Sequence, residues 1–304
     1  MSARLAIPVI CATLTLASFP VSAQTQATIS AAPGPSESEI RERAKLLTDN
    51  QHKNDEALEQ YEHVDRYIDR TGGDGARTTE DRTYRVVPHG VGTMRILVKN
   101  GDTPVSPAEY RRQLLVWEGV LETMTRPDDP RAKSYREKYE KRKRDRQHFV
   151  DAAGEAFLVK WVGAETKNGR ACDVFELDPN PQFHPHSMFE DAFLHVMAKV
   201  WVDQQQTQIV RGEVHVLSDI SFGGGILGKL YKGGSVVMEQ EEVAPGIWLP
   251  TRYEYDFSGR KFLFSFEQHQ AIEASHYRKV GSPQDALALV KSELASGKPF
   301  SGDP

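Results

Sequence analysis

The sequence predicts an α+β fold in which a curved antiparallel β-sheet, connected as a meander, is covered on one face by helices. From residue 157 to residue 280, short segments alternate apolar and polar residues and are separated by turns of only a few residues. Such short turns join antiparallel neighbours, because a parallel pair needs a crossover of about a dozen residues. One side of these strands is rich in large aromatic residues and needs a cover. Helix-start signals followed by apolar residues at helical spacing lie before and after this region and indicate where the cover comes from.

The chain begins with the pattern of a secretory signal peptide. Arg4 supplies the basic residue, Leu5–Phe19 carries no charge, and the run ends in small residues. We predict that residues 1–23 are cleaved off between Ala23 and Gln24, which makes the protein periplasmic or secreted. The alternative, an uncleaved anchor, is disfavoured because the apolar run is shorter than the roughly 20 residues of a spanning helix.

A single α+β domain is predicted from residue 36 to residue 304. It follows a flexible linker at 24–35, which is rich in Ala, Ser, Thr, Gly and Pro. Its N-terminal part, 36–70, begins with Ser36 and Glu39 at the spacing of a capping box and continues with apolar residues at helical spacing. Two short helices or one kinked helix satisfy this pattern.

A helical insertion is predicted at 106–155, where Ser106 and Pro107 form a start signal. Within it, the run Arg131–Arg146 holds nine Lys or Arg residues against three acidic ones. This run is interpreted either as a solvated helix surface or as a patch for the anionic head groups of a membrane surface. Nucleic acid is not an expected partner, because the chain is mildly acidic overall and carries an export signal.

The main antiparallel sheet is predicted at 157–280, and two further strand-like runs precede it at Thr79–Val87 and Gly92–Lys99. Asn168-Gly169 is the residue pair that a tight type I′ turn prefers, so a hairpin is expected around it. This hairpin opens the predicted meander.

The end of the sheet is predicted from a second turn signal. Ser258-Gly259 is expected to turn the chain into a strand on which Phe262, Phe264 and Phe266 face one way. A capped helix at 282–296 is predicted to close the domain.

The glycine-rich segment Ser221–Gly234 is the most unusual stretch of the sequence. It satisfies G-x-x-x-x-G-K, but Leu230 stands where a phosphate-binding loop needs Ser or Thr, and strands rather than a long helix follow. Nucleotide binding is therefore rejected. The segment is interpreted either as a mobile lid or apolar tip at the mouth of a lipid-binding concavity, or as a long hairpin loop that plugs the core.

No catalytic residue, metal site or cofactor is predicted. His184 and His186 lie in the proline-rich loop, and His195 lies further along the chain. No cysteine or nearby carboxylate completes an evident metal-ligand set with them. Cys172, the only cysteine left after cleavage, is expected to be a small buried hydrophobe. A hydrolase would have to use carboxylates, of which the candidates are Glu239, Glu241, Glu254 and Asp256. The alternation of apolar and polar residues places Glu254 and Asp256 on the solvent-facing side of a strand.

Four degenerate motifs between Phe157 and Tyr277 resemble the periplasmic lipoprotein-carrier-like (LolA/LolB/RseB-like) superfamily, which includes the sensor of the sigma-E regulatory system. The motifs are Val200-Trp-Val-Asp203, Gln208-Ile-Val-Arg211, Phe222-Gly-Gly-Gly225 and Gly246-Ile-Trp-Leu-Pro-Thr-Arg252. The resemblance implies an unclosed half-barrel with helices over its concave, apolar face. It also implies a protein that binds acyl chains or hydrophobic partners and catalyses nothing.

The sequence therefore favours a non-catalytic periplasmic binding or carrier protein for a lipid, a lipoprotein or another hydrophobic ligand. Its partner would be a hydrophobic ligand or lipidated protein, held in an apolar pocket between sheet and helices. The alternative is an envelope sensor or protein-interaction module. The residues expected to contact the ligand are apolar or aromatic, namely Trp201, Phe222, Ile226, Leu227, Leu230, Tyr231, Tyr253, Tyr255, Phe262 and Phe264.

Overall fold

A computed structural model describes residues 34–72, 75 and 77–297. The predicted signal peptide and most of the predicted linker lie outside these residues. The described helices are α1 (Glu37–Leu58), α2 (Pro107–Met124), α3 (Pro130–Ala156) and α4 (Pro283–Ser296), with a 3-10 helix at Glu190–His195. Within the described residues, no helix has the length and apolarity needed to cross a bilayer.

Thirteen strands form one antiparallel sheet in the described part of the chain. They are β1 (Tyr61–Thr71), β2 (Arg77–Pro88), β3 (Thr93–Asn100), β4 (Thr103–Pro104), β5 (Phe157–Lys167), β6 (Arg170–Pro179), β7 (Val196–Asp203), β8 (Ile209–Val216), β9 (Ile220–Phe222), β10 (Gly228–Leu230), β11 (Ser235–Ala244), β12 (Ile247–Lys261) and β13 (Phe264–Lys279). The strand order is β4-β3-β2-β1-β13-β12-β11-β8-β7-β6-β5, with β10 paired to both β9 and β12. The strands at the two ends of this order are not paired with each other in the described residues, so the sheet is unclosed and the predicted α+β class is confirmed.

The described residues group into two compact units. The first unit holds the residues up to Leu47, Gly154–Glu239 and Glu254–Phe266, and the second holds Thr48–Ala153, Gln240–Tyr253 and the residues from Glu267 on. Three strands, β11, β12 and β13, contribute residues to both units.

The predicted helix starts are confirmed. The backbone N–H of Ser36 donates to Glu39 Oε2 at 2.7 Å, which is one arm of the capping box that opens α1. At α2, Ser106 Oγ accepts from the backbone N–H of Glu109 at 3.2 Å. Ser282 opens α4 with both arms of a capping box. Each start signal uses residues three positions apart, which explains why local sequence was enough to find it.

The second unit has its core where α2 and α4 pack on β2 and β3. The buried side chains of this core are Val87, Met94, Ile96, Tyr110, Leu114, Leu121, Ala286 and Val290. Val87 and Met94 are register partners, so the two strands present one apolar face to the two helices. This arrangement confirms that helices cover a face of the sheet.

Helix α1 runs without a break through Asn50 and Asn54, where the sequence indicates a polar interruption. Both asparagines are buried, and Asn54 Oδ1 accepts a hydrogen bond from the backbone N–H of Trp248 at 3.0 Å. Trp248 itself is fully buried. Asn54 therefore faces the sheet and satisfies a buried backbone donor there.

We expect Asn54→Ala to lower the free energy of unfolding by about 2 kcal/mol, because it leaves the buried N–H of Trp248 without this acceptor. Urea denaturation followed by tryptophan fluorescence measures the change. Lys53→Ala, at the exposed neighbouring position of α1, is the control and should shift the free energy by less than about 0.5 kcal/mol. Equal effects of the two variants would contradict the buried role of Asn54.

The prediction of helix over 36–70 is wrong for its last third, because Tyr61–Thr71 forms β1. This strand pairs with β2 on one side and β13 on the other. Val64 and Ile68, which suggest a helix, are four positions apart, and an even spacing also places both side chains on one face of a strand. Tertiary pairing decides between the two, and the Val, Tyr and Ile content suits a strand.

The predicted turn at Ser258-Gly259 is also wrong, because β12 continues through it and the chain turns at Phe262-Leu263. Phe262 has a positive φ of 53° and therefore lies in the turn instead of on a strand face. Gly259 has a different purpose. A Cβ at Gly259 would collide with the backbone oxygen of Lys229 and lie 2.9 Å from Phe266 Cζ. The glycine thus permits close approach of β10.

Candidate functional site

The glycine-rich segment folds as a hairpin within the first unit. Strands β9 and β10 pair with each other, and β10 also joins β12 through the register pairs Gly228↔Lys261 and Leu230↔Gly259. The turn between them contains three consecutive glycines with positive φ, Gly223–Gly225. A strand follows this turn, and the expected long loop is instead part of the sheet.

Two adjacent hairpin turns carry a cluster of exposed apolar side chains, which we call the apolar tip. Its members and their exposed fractions are Ile226 (76%), Leu227 (48%), Phe262 (51%), Leu263 (86%) and Phe264 (78%). The backbone N–H of Phe262 donates to the carbonyl oxygen of Leu227 at 3.2 Å and links the two turns. The hydrogen bond and the β10–β12 pairing hold the two turns, and with them these side chains, next to each other.

Phe222 and Leu230 lie below the apolar tip. Both are partly buried against a core cluster that includes Val196, Val216 and Ile220. Their side chains therefore anchor the β9–β10 hairpin to the body of the first unit. They support the tip instead of forming part of its exposed surface.

The other predicted ligand residues lie elsewhere in the sheet. Trp201 is buried, and its Nε1–H donates to Glu165 Oε2 at 2.9 Å. Tyr253 and Tyr255 are half-buried in the middle of β12, and Tyr231 is half-buried just after β10. Of the ten predicted residues, the structure thus brings four together at the apolar tip and places two directly beneath it.

An open groove of about 650 Å³ lies beside the apolar tip. It is lined by Ser221, Gly224, Gly225, Ile226, Lys229, Arg260, Phe262 and Leu263. Arg260 Nη2 donates to the carbonyl oxygen of Gly225 at 3.1 Å, and Lys229 Nζ lies 2.7 Å from Asp219 Oδ2. The hydrogen bond from Lys229 lowers the pKa of Asp219, so this carboxylate is ionised at neutral pH. The groove therefore combines apolar walls with two cationic side chains.

A smaller cavity lies in the second unit between α2 and α4. It measures about 190 Å³ and is bordered by Tyr110, Leu114, Glu293 and Leu294, among others. Pockets that hold drug-sized ligands are usually about 300–1,000 Å³. This cavity is too small for a long acyl chain, so the apolar pocket predicted between sheet and helices does not form at α2 and α4.

The basic run Arg131–Arg146 lies on α3 and is partly neutralised within the second unit. Lys143 Nζ lies 3.5 Å from Glu59 Oε1, and Arg146 Nε lies 3.8 Å from Asp55 Oδ2. Lys138 and Arg144 belong to the exposed part of the helix surface. Only part of the run is thus directed to solvent.

The histidines and carboxylates considered from the sequence take part in local contacts. His195 Nδ1 lies 2.7 Å from Ser218 Oγ, and His186 Nδ1 lies 3.4 Å from Glu190 Oε2. Glu239 is ion-paired with Arg211 on the neighbouring strand β8. Among the described residues, no three side chains of metal-binding type come together.

Sequence reasoning missed two residues of the site, Leu263 and Arg260. Both follow from the misplaced turn, since a turn at Phe262-Leu263 exposes Leu263 and leaves Arg260 on β12 opposite Lys229. The signal present in the sequence is the apolar run Phe262-Leu263-Phe264 without a turn residue, which is unusual for an exposed hairpin end.

No family model matches the chain, and no curated protein matches it. By fold it is similar to a LolA superfamily protein from Nitrosomonas europaea, with 10% identity, a TM-score of 0.31 and coverage of 79% of this chain and 96% of that chain. It is similar to a DUF1329 family protein from Desulfovibrio piger, with 13% identity, a TM-score of 0.26 and coverage of 78% and 93%. It is also similar to the MucA/MucB complex structure of Pseudomonas aeruginosa, with 10% identity, a TM-score of 0.22 and coverage of 77% and 92%.

Proposed function

We propose that this chain is a non-catalytic binding protein of the cell envelope that engages lipid through the apolar tip. The single observation that carries the proposal is the group of five large, exposed apolar side chains on two hydrogen-bonded hairpin turns. The signal-peptide pattern at residues 1–23 supports the envelope as its location. In this proposal the lipid contacts the two hairpin turns of the apolar tip instead of an enclosed concavity between sheet and helices.

The energetics favour such a contact. Burying a Leu or Phe side chain that would otherwise face water contributes about 1.5–3 kcal/mol. Contiguous exposed apolar patches on soluble proteins commonly mark sites of protein or membrane interaction. Because the hairpin turns are already ordered by pairing with β12, little conformational entropy is lost when the tip enters an apolar medium. A tip of this kind binds lipid without any catalytic group.

We expect Leu263→Ser to weaken binding to phosphatidylcholine vesicles by roughly tenfold or more, because it removes one of the most exposed apolar side chains. Co-sedimentation of the purified protein with vesicles measures the partition coefficient. Leu263 is 86% exposed, so the substitution leaves the folded core intact, and circular dichroism verifies this.

The matched control is Val116→Ser on α2, whose side chain is 61% exposed and belongs to the second unit instead of the first. It should bind vesicles as the unmodified protein does. Unchanged binding by Leu263→Ser, or absence of vesicle binding by the unmodified protein, would reject a lipid-binding tip. Capture of a defined envelope protein by the tip in that case would favour the interaction-module alternative.

A further inference from the structure

The apolar tip is bordered by cations. Lys229 and Arg260 are register partners in β10 and β12 and line the groove beside the tip. Two further cations are exposed, Lys232 two residues after the end of β10 and Lys261 at the last position of β12. Between Ile220 and Lys232, and again between Ser258 and Phe266, every charged residue is a cation. These four cations stand in a chain whose formal net charge is -5.

The acidic residues next to these segments offset part of this charge, and they are Asp219, Asp256 and Glu267. Asp219 is tied to Lys229 at 2.7 Å and also accepts the backbone N–H of Lys232 at 2.8 Å. Glu267 comes three strand positions after Phe264, or roughly 10 Å farther from the turn at about 3.3 Å per residue. That separation is about one Debye length at 0.1 M salt, so the charge of Glu267 is partly screened at the tip.

We infer that the groove seats the anionic head group of a membrane phospholipid while the apolar tip enters the acyl region, so that the tip selects anionic bilayers. The inference rests on the proposed function and adds the class of lipid. Its basis is the position of the cations, which border the apolar tip. They would lie among the head groups when the tip enters the acyl region. Arg260 also keeps its guanidinium at the groove wall through its hydrogen bond to Gly225, which positions it for a phosphate oxygen.

The magnitude of the selection follows from the number of cations. A Lys or Arg near an anionic membrane surface contributes about 1 kcal/mol, or roughly a fivefold change in partitioning. Because Asp219 offsets one cation, removal of two others should abolish most of the preference for anionic over neutral bilayers. The effect should also decline as salt is raised, since exposed charges are screened.

The experiment compares vesicles of phosphatidylcholine alone with vesicles that also contain phosphatidylglycerol, at low and at high salt. The unmodified protein should bind the anionic vesicles more tightly, and more so at low salt. Arg260→Gln should lose much of this preference. Because that substitution also removes the hydrogen bond to Gly225, a second variant, Lys232→Gln with Lys261→Gln, keeps the groove contacts. It should bind anionic vesicles roughly 25-fold more weakly and neutral vesicles as before.

The matched control is Lys138→Gln with Arg144→Gln, which removes the same charge from exposed positions of α3. It should keep the anionic preference. Loss of preference in this control, or equal binding of the unmodified protein to both vesicles, overturns the inference. If the unmodified protein binds both kinds of vesicle equally, the proposed function still stands provided that Leu263→Ser weakens binding to both. Absence of binding to either vesicle rejects the proposed function as well.

Discussion

Arg85→Met is expected to lower the free energy of unfolding by about 4 kcal/mol, because removal of one partner of a buried ion pair typically costs about 3–5 kcal/mol. Arg85 is 1% exposed. Its Nη2 donates to Glu62 Oε2 at 2.7 Å, and its Nη1 donates to Glu293 Oε1 at 2.7 Å and to the hydroxyl of Tyr110 at 3.0 Å. In the variant Glu293 would lose the guanidinium that it binds, and Glu62 would keep Arg278 of its two described cationic partners.

The charge state of this cluster supports the expected size of the effect. Burial alone would lower the pKa of Arg85, but Glu62, Tyr110 and Glu293 together raise it above its ordinary value. Burial raises the pKa of Tyr110 to about 12, so its hydroxyl stays protonated and donates to Glu293 Oε2 at 3.1 Å. The guanidinium therefore joins β1, β2, α2 and α4 as a charged group at all physiological pH values.

Urea denaturation monitored by circular dichroism measures the loss. Arg112→Met is the control, because Arg112 is exposed and pairs only with Glu109 of its own helix among the contacts described. It should change the free energy by less than about 1 kcal/mol. Arg85→Met combined with Glu293→Met should be less destabilised than the sum of the two single variants. Additive effects, or an Arg85→Met variant as stable as the control, would contradict the buried network.

Gly259→Ala is expected to lower the free energy of unfolding by about 3 kcal/mol, because an added methyl group in a filled space costs about 1–3 kcal/mol and here meets a backbone atom. The Cβ would collide with the carbonyl oxygen of Lys229 and stand 2.9 Å from Phe266 Cζ. A flexible side chain could move away, but the oxygen belongs to β10 and is held by strand pairing. The hairpin that carries two of the five apolar-tip residues must therefore shift.

Two measurements test this prediction. Thermal unfolding should show the loss of stability, and limited proteolysis should cut the β9–β10 hairpin faster in Gly259→Ala. Gly119→Ala on α2 is the matched control, since a Cβ there meets no atom within 4 Å. It should raise stability by about 0.5–1 kcal/mol, because alanine is the better helix former. A Gly259→Ala protein with normal stability and an uncut hairpin would show that β10 does not depend on this glycine.

Local signals in the sequence were predictive wherever a few neighbouring residues form the structure. The starts of α1, α2 and α4 follow from capping serines, and the β5–β6 hairpin follows from Asn168-Gly169, both of which have positive φ. The signals failed at Tyr61–Thr71 and at Gly259. In the first case an even spacing fits helix and strand equally, and in the second a glycine needed for close packing resembles a glycine needed for a turn.

The candidate site was predictable only in part for the same reason. Ile226, Leu227, Phe262 and Phe264 were named because they are apolar residues near turns. Their assembly into one surface depends on the pairing of β10 with β12, whose register partners lie about 30 positions apart in the chain. Leu263 and Arg260 belong to the site because β12 continues to Lys261, which places Leu263 in the turn and Arg260 opposite Lys229.

Residue patterns alone predict the α+β class, the antiparallel character of the sheet and the starts of three helices, because these depend on side-chain alternation, short turns and hydrogen bonds between residues three positions apart. The pairing of β1 with β13, in which Tyr61 lies opposite Lys279, is visible only in the folded chain. The tertiary structure also decided that the glycine-rich segment is a strand hairpin whose turn stands beside Phe262-Leu263. Such choices depend on the burial and backbone pairing of distant segments, and no local pattern contains that information.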